Sequence, residues 1–453
     1  MKINVKVFFA LMPFIYAVQV LCMRKDIVAI PYLLVILCII PLTLQDNNPR
    51  QSGALLDEIA MLFSLTALVW AVFEGVVYGV VSGVRVLFLF FVPTIIYFVI
   101  ARGCKGRDIG QLMSIISISS LVVATELLFE IAHSKILLQP SLFQEQNFAY
   151  VASMGSGREL YQLLLIEYRP PGIIEHLHAT ATYIAIGLIA SLGLYLMSGR
   201  KPLVVIIGID LIALVFSGSR LVQIATLVAL ICVGLTVRVG CEREYWKRFS
   251  RGGVAGGIML GSVMAYVGWN WGEAAQAFVR EYYLPVFSSL DFFQGRSFLL
   301  DILLPSMRNW LGAFGTYPGA ILFGFGPTTL LYDVNAASDD VFVLQIFGQY
   351  GLAGGIAFYS FLIVAMREWG TEVKTLRGPS RVVCIFAGAA AILLYLTTVH
   401  SGALQRKAIY PLLFLAIGII RRYAVRPIRG IDSQFIREIG MGVKRWRLSG
   451  RVR

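Results

Sequence analysis

Apolar runs broken by short polar segments recur along the chain, at about 7–22, 27–44, 59–80, 85–101, 112–132, 181–197, 203–217, 221–237, 253–268, 341–366, 382–398 and 408–420. Runs of about 17 to 22 residues match the thickness of a bilayer core. Twelve of them predict an all-α polytopic membrane protein with both termini on one side. The alternating segments of about ten residues that mark a membrane β-barrel are absent. The first run, Val7 to Met23, follows Lys2 and Lys6, and no small-residue cleavage site closes it. It therefore reads as a first span rather than a removable signal.

Two long segments interrupt this pattern on the side opposite the termini. The chain divides into N-terminal helices over 1–132, a first outer segment at 133–180, central helices over 181–268, a large outer segment at 269–340, C-terminal helices over 341–420 and a basic tail at 421–453. Segments this long inside a compact protein are usually functional or disordered. Their aromatic content argues against disorder: Phe143, Phe148, Tyr150, Tyr161 and Tyr168 in the first, Phe292, Phe293, Phe298 and Trp310 in the second. The run 296–313 reads as an amphipathic helix with Arg296 and Asp301 on its polar side, suited to the membrane interface.

Composition agrees with this picture. Of 453 residues, 58% are hydrophobic and 14% charged, against roughly 25% charged in a soluble domain. A net charge of +13 raises the question of nucleic acid, but its distribution answers it. Of 39 Lys and Arg, 27 fall on the side holding both termini and 12 on the other. That bias places the termini in the cytoplasm and the long segments outside. The tail after 420 reads as a topogenic segment held against anionic headgroups, with nucleic-acid binding as the alternative. The six cysteines fall in spans or in segments assigned to the cytoplasm, so no disulfide framework is expected. No Cys-x2-Cys or His-x3-His pair proposes a metal site.

Arginines on the outer side have escaped the bias that depletes them there. Arg169 lies in YRPPG, Arg220 closes FSGSR at a junction of two spans, and Arg296 opens the amphipathic run. Guanidinium groups bind phosphate oxygens bidentately and stay charged in low dielectric. Three converging on one outer cavity would hold a diphosphate. The competing reading is that Arg220 snorkels to headgroups and Arg296 pairs with an acid. Glu175, His176 and His178 cluster before one span, and Asp339 and Asp340 before another, as candidate bases. Ser338 or Asp339 also suits a helix N-cap. His400 lies at another outer span end. Glu126 and Glu130 lie towards the outer end of their span, and Asp210 mid-span; intramembrane acids are functional candidates by default, and Asp210 reads as a structural or lipid-site acid.

FSGSR is followed by an outer segment with Gly295–Arg296, an apolar helix, LFGFGP at 322–327, the acidic Ser338–Asp340 and then LQIFGQYGLAGG at 344–355. This order over about 205–360 resembles the O-antigen ligase and polymerase superfamily, the Wzy-type polymerases and their ligase relatives. The twelve-span layout is similar more loosely. The resemblance implies a C-type membrane glycosyltransferase that uses sugars linked to a lipid diphosphate, on the periplasmic face of the bacterial inner membrane, without metal or other cofactor. Many members, the ligases especially, carry a His where this chain has Asp339 and Asp340, so the ligase-type base does not carry over.

By that resemblance the chain is expected to be a polysaccharide polymerase, for O-antigen, capsule or exopolysaccharide. It would move a glycan from undecaprenyl diphosphate onto a lipid-linked repeat unit. Arg220 and Arg169 are assigned to the diphosphate and Arg296 to the donor or loop geometry; Asp339, Asp340, His176, His178 and Glu175 are the candidate catalytic groups. Tyr161, Tyr168 and Tyr332 are available to stack on sugar rings. Expected partners are lipid-linked glycans, membrane lipids, and a chain-length regulator and flippase of the same pathway, but no nucleic acid. Two alternatives remain: a ligase that moves finished glycan to a lipid A core, and a transporter of lipid-linked oligosaccharide. A transporter predicts short outer loops, repeat symmetry and charges lining a central path, none of which the sequence displays.

Overall fold

The computed structural model describes residues 2–23, 29–38, 55–77, 79–133, 139, 141–153, 172–174, 177–270, 304–316, 318–325, 342–397 and 409–425. Among them there is no strand. The helices are α1 (Lys2–Leu11), α2 (Ile15–Cys22), α3 (Ala29–Ile36), α4 (Leu55–Val77), α5 (Val80–Val86), α6 (Val92–Phe98), α7 (Gly106–Ala132), α8 (Leu142–Ser153) and α9 (Leu177–Ser198). They continue as α10 (Lys201–Phe216), α11 (Arg220–Gly240), α12 (Arg243–Asn270), α13 (Leu304–Thr316), α14 (Ala320–Phe323), α15 (Phe342–Thr375), α16 (Gly378–Thr397) and α17 (Tyr410–Val425). Seven described helical stretches are long and apolar enough to cross a bilayer: Ile3–Cys22, Leu55–Val77, Gly106–Ala132, His178–Ser198, Arg220–Gly240, Ile346–Thr375 and Gly378–Thr397. The chain is an all-α protein of membrane-spanning type.

α9 is the centre of the bundle. Its spanning window is 100% buried, whereas that of α4 is 28% buried. A helix that is apolar all round has no face to give to water and belongs inside. Small residues let its neighbours approach, as in other membrane helix pairs. A Cβ on Gly187 would collide with Ser120 of α7, and one on Gly193 would press on Met113 of α7 and Phe386 of α16. α7, α10, α11, α12 and α16 all pack against α9. α4, α15, α17 and α6 form a second group, with Phe63, Phe358, Phe361 and Phe414 meeting ring against ring at centroid distances of 5.3–6.1 Å.

One end of the bundle is held by ion pairs. Arg421 of α17 donates from Nε to Asp57 Oδ1 at 3.4 Å and from Nη1 to Glu368 at 3.2 Å. Tyr97 donates its hydroxyl to Asp57 at 2.6 Å, and Arg102 lies 3.7 Å from the same carboxylate. Lys6 pairs with Asp108 at 2.7 Å. Arg248 of α12 donates to the Leu196 carbonyl at 2.8 Å and also to that of Met197, capping the end of α9 where orphan carbonyls and the helix dipole favour a cation. Lys6, Asp57, Arg102, Asp108, Arg248, Glu368 and Arg421 all come from the side to which the sequence pattern assigned the termini.

Differences from the expected elements have local causes. α12 starts at Arg243, inside the basic stretch read as a loop, because Trp246 and Phe249 stack at 5.7 Å and give that stretch an apolar side. The first span contains a 3-10 turn at Met12–Phe14, where Pro13 removes a helix donor. The helix expected at 296–313 is described from Leu304 and runs to Thr316. The segment 133–180 carries α8, tied to α2 by a Tyr16 hydroxyl that donates to Asn147 at 2.6 Å.

Candidate functional site

The FSGSR junction is built by its own side chains. Phe216 ends α10, Gly218 turns the chain with φ +69°, and Arg220 opens α11. That left-handed turn suits Gly because a Cβ would crowd the following carbonyl. The last carbonyls of α10 are satisfied locally: Ser217 donates to Leu214 at 2.7 Å, and the Gln223 amide donates to Leu214 and Val215 at 3.0 Å each. Ser217, Ser219 and Arg220 are buried, with 2%, 0% and 8% of their surfaces exposed.

This turn meets the start of α9. His178 Nδ1 lies 2.6 Å from the Ser219 hydroxyl, and Thr182 donates to the His178 carbonyl at 2.6 Å. Ser219 stands at the N-cap position of α11, where a Ser hydroxyl normally accepts from the first-turn N–H groups. Here its side chain makes no cap hydrogen bond and is engaged with His178 instead. The first turn of α11 therefore carries Arg220 and the positive end of a helix dipole together.

A second contact lies beside it. A 3-10 turn at Gly172–Ile174, opened by the last Gly of YRPPG, packs on α7 and α9. Gly172 has φ +65°, and a Cβ there would press on Thr180. The backbone amides of Ile173 and Gly172 face the carboxyls of Glu126 and Glu130.

The two glycine-rich motifs dock on each other. Phe325 N–H donates to the Gly348 carbonyl at 2.8 Å, and Trp70 of α4 donates to the Phe323 carbonyl at 2.9 Å. Gly324, with φ +79°, lies against the Gln349 backbone, and Gly351, with φ +65°, lies against that of Leu322. Gly351 breaks α15 into two helical pieces. Gly348 lies under the Trp310 ring, so a side chain there would occupy the indole. Trp310, Phe314 and Phe325 stack with centroids 5.4–6.2 Å apart.

Of the residues singled out in the sequence, the structure brings His178 and the Arg220 turn together. Arg169, Glu175, His176, Arg296, Asp339 and Asp340 lie outside the described residues, as do Tyr161, Tyr168, Tyr332 and His400. Ser219 was not singled out, although it sits inside the quoted FSGSR motif. The approach of Glu126 and Glu130 to the turn at Gly172–Ile174 had no signal beyond their intramembrane position. Among the described residues no group of three His, Cys, Asp or Glu is placed to hold a metal ion. A cavity of about 50 Å³ between α7, α9, α16 and α17, and a groove of about 530 Å³ between α4 and α15, have largely apolar walls that include none of the candidate residues.

Neither the family models nor the curated proteins compared with this chain gave a match.

Proposed function

We propose that the chain is a polysaccharide polymerase of the C-type glycosyltransferase kind, spanning the bacterial inner membrane twelve times with both termini cytoplasmic. It elongates a glycan carried on undecaprenyl diphosphate by transfer to a lipid-linked repeat unit. The ion-paired end of the bundle is then the cytoplasmic end, and the FSGSR turn faces the periplasm. The observation that carries the reading is the pairing of His178 with Ser219 beside a buried Arg220 at the first position of α11.

A guanidinium at a helix N-terminus can hold phosphate oxygens bidentately, and the first-turn N–H groups and the dipole add to that attraction. A diphosphate is the anion that fits both. In the reaction an acceptor hydroxyl oxygen attacks the anomeric carbon of the donor, and the bond from that carbon to the diphosphate oxygen breaks with inversion. The electron pair leaves with the lipid diphosphate, whose charge Arg220 and the α11 N-terminus stabilise. The hydroxyl proton passes to a base. A proton on His178 Nδ1 donated to Ser219 leaves Nε2 as the basic nitrogen, which suits His178 to that role. Arg169 follows the same logic through the turn at Gly172–Ile174, and Arg296, Asp339, Asp340, His176 and Glu175 remain candidates on the outer segments.

The test uses purified protein in nanodiscs with lipid-diphosphate-linked repeat units and no added metal, the products resolved on a gel. A ladder of lengthening glycan is expected. Arg220→Ala lowers its rate by about 10²–10³-fold, the usual size for losing one donor to a developing anion. Ser219→Ala lowers it less, and Arg220→Lys lies between. A normally folded Arg220→Ala protein with an unchanged ladder refutes the diphosphate assignment. Transfer only when a lipid A core is supplied makes the enzyme a ligase.

A further inference from the structure

Halfway along α10, Asp210 is fully buried between α7 and α9. Its Oδ2 lies 3.1 Å from the Ser120 hydroxyl of α7, and its Oδ1 has no hydrogen-bond partner among the described residues. The approach depends on Gly187 of α9, where a Cβ would overlap Ser120 and touch Asp210 Oδ2. No described Lys, Arg or His pairs with Asp210. α9 turns the Tyr183 hydroxyl to this region, bonded to Ser119 at 2.8 Å, and α12 offers Met259 beside Gly208.

The hydrogen count decides what this carboxyl holds. Ser120 has one hydroxyl hydrogen and two acceptors in reach: the Ser117 carbonyl at 2.9 Å and Asp210 Oδ2 at 3.1 Å. If the hydrogen goes to Ser117, a carboxylate at Asp210 is left with no donor at all. An ionised acid inside a bilayer without a partner is strongly disfavoured. A proton on Oδ2 resolves both problems, because Asp210 then donates to Ser120 and Ser120 donates to Ser117. A metal ion is a poorer occupant, since Ca²⁺ takes six to eight oxygens and the site offers a carboxyl and one hydroxyl.

We propose that Asp210 is a proton-binding site inside the bundle, occupied at neutral pH, with Ser120 as the acceptor and Gly187 as the gap that admits both. The site is independent of the glycosyl-transfer reading. It gives α7, α9 and α10 a neutral polar seam, continued by the Ser117–Ser191 hydroxyl pair at 2.6 Å. Ionisation at this point would draw water or a cation between the three helices.

Infrared difference spectroscopy tests this on the full chain in nanodiscs at neutral pH. Wild-type protein is expected to show a protonated-carboxyl stretch that Asp210→Asn lacks and that ¹³C-aspartate shifts, which separates it from Glu126 and Glu130. In Ser120→Ala the same band moves to higher wavenumber as its acceptor disappears, a readout that holds even if Asp210→Asn fails to fold. Loss of a carboxylate band in Asp210→Asn, with no change in the protonated region, overturns the proposal. So does a carboxylate band in wild type that responds to Na⁺, which would make the occupant a cation.

Discussion

Replacing Arg421 by Met removes the guanidinium that ties α17 to α4 and α15 while keeping similar apolar bulk. Arg421 and Asp57 retain only 9% and 7% of their side-chain exposure, so their attraction is little screened by water. At 3.4 Å and an effective dielectric constant of about 20, the pair attraction is about 5 kcal/mol before desolvation. Breaking a buried pair by removing one partner usually costs about 3–5 kcal/mol, because the other charge is stranded. Here Asp57 keeps Tyr97 at 2.6 Å and Arg102 at 3.7 Å, and Glu368 is 20% exposed, so the low end, about 3 kcal/mol, is expected. Asp57→Asn alone should cost about as much, and the double variant should recover about 2 kcal/mol because neither charge is left alone. Reversible unfolding in mixed micelles measures the cycle, and raised salt should change it little. If Arg421→Met loses under about 0.5 kcal/mol, or the two changes add within that margin, the ion pair does not form. The gathering of chain ends from α4, α6, α15 and α17 at one face would fall with it.

Two further outcomes are expected. Gly348→Leu drives a side chain into the Trp310 indole and should release α13 from α15, seen as faster proteolysis near residue 310; unchanged cleavage would refute that docking. With a membrane-impermeant maleimide, exposed Cys22 should label from outside in spheroplasts and Cys241 from the cytoplasmic side in inverted vesicles. Burial pushes the Cys241 thiol up, with Arg381 opposing, so its labelling is slow at neutral pH and quickens as pH rises and thiolate forms. Labelling of both from one side would refute the twelve-span topology.

Seven of the expected spans were legible because apolar length reports bilayer thickness; α9, expected over 181–197, runs from Leu177 to Ser198. The ends were less so. Hydropathy stops where charge begins, yet Arg243–Arg251 is helical and Gly106–Ile109 starts α7, since helices outlast the bilayer where their ends are capped or paired. Arg421 counted in the sequence as part of a topogenic tail, whereas in the fold it is a buried partner of Asp57 and Glu368. FSGSR announced a turn between two helices from its Gly alone. That Ser219 would reach His178, 41 positions earlier, depends on how α9 and α11 pack, which no local pattern records. The docking of Gly324 on Gly351 is similar: each glycine marks a turn, and their mutual need becomes visible only when the two backbones touch.

The complete enclosure of α9 also orders the protein's assembly. Its walls come from α7 before it and from α10, α11, α12 and α16 after it. In chain order α10, α11 and α12 come before α16, so the face of α9 that meets α16 is the last to find its wall. A chain stopped short of α16 would lack one wall of that enclosure and leave small residues against acyl chains they cannot fill. The helices that carry His178 and the FSGSR turn both pack on that last wall, so the contact between them is buttressed by a helix far from it in the sequence.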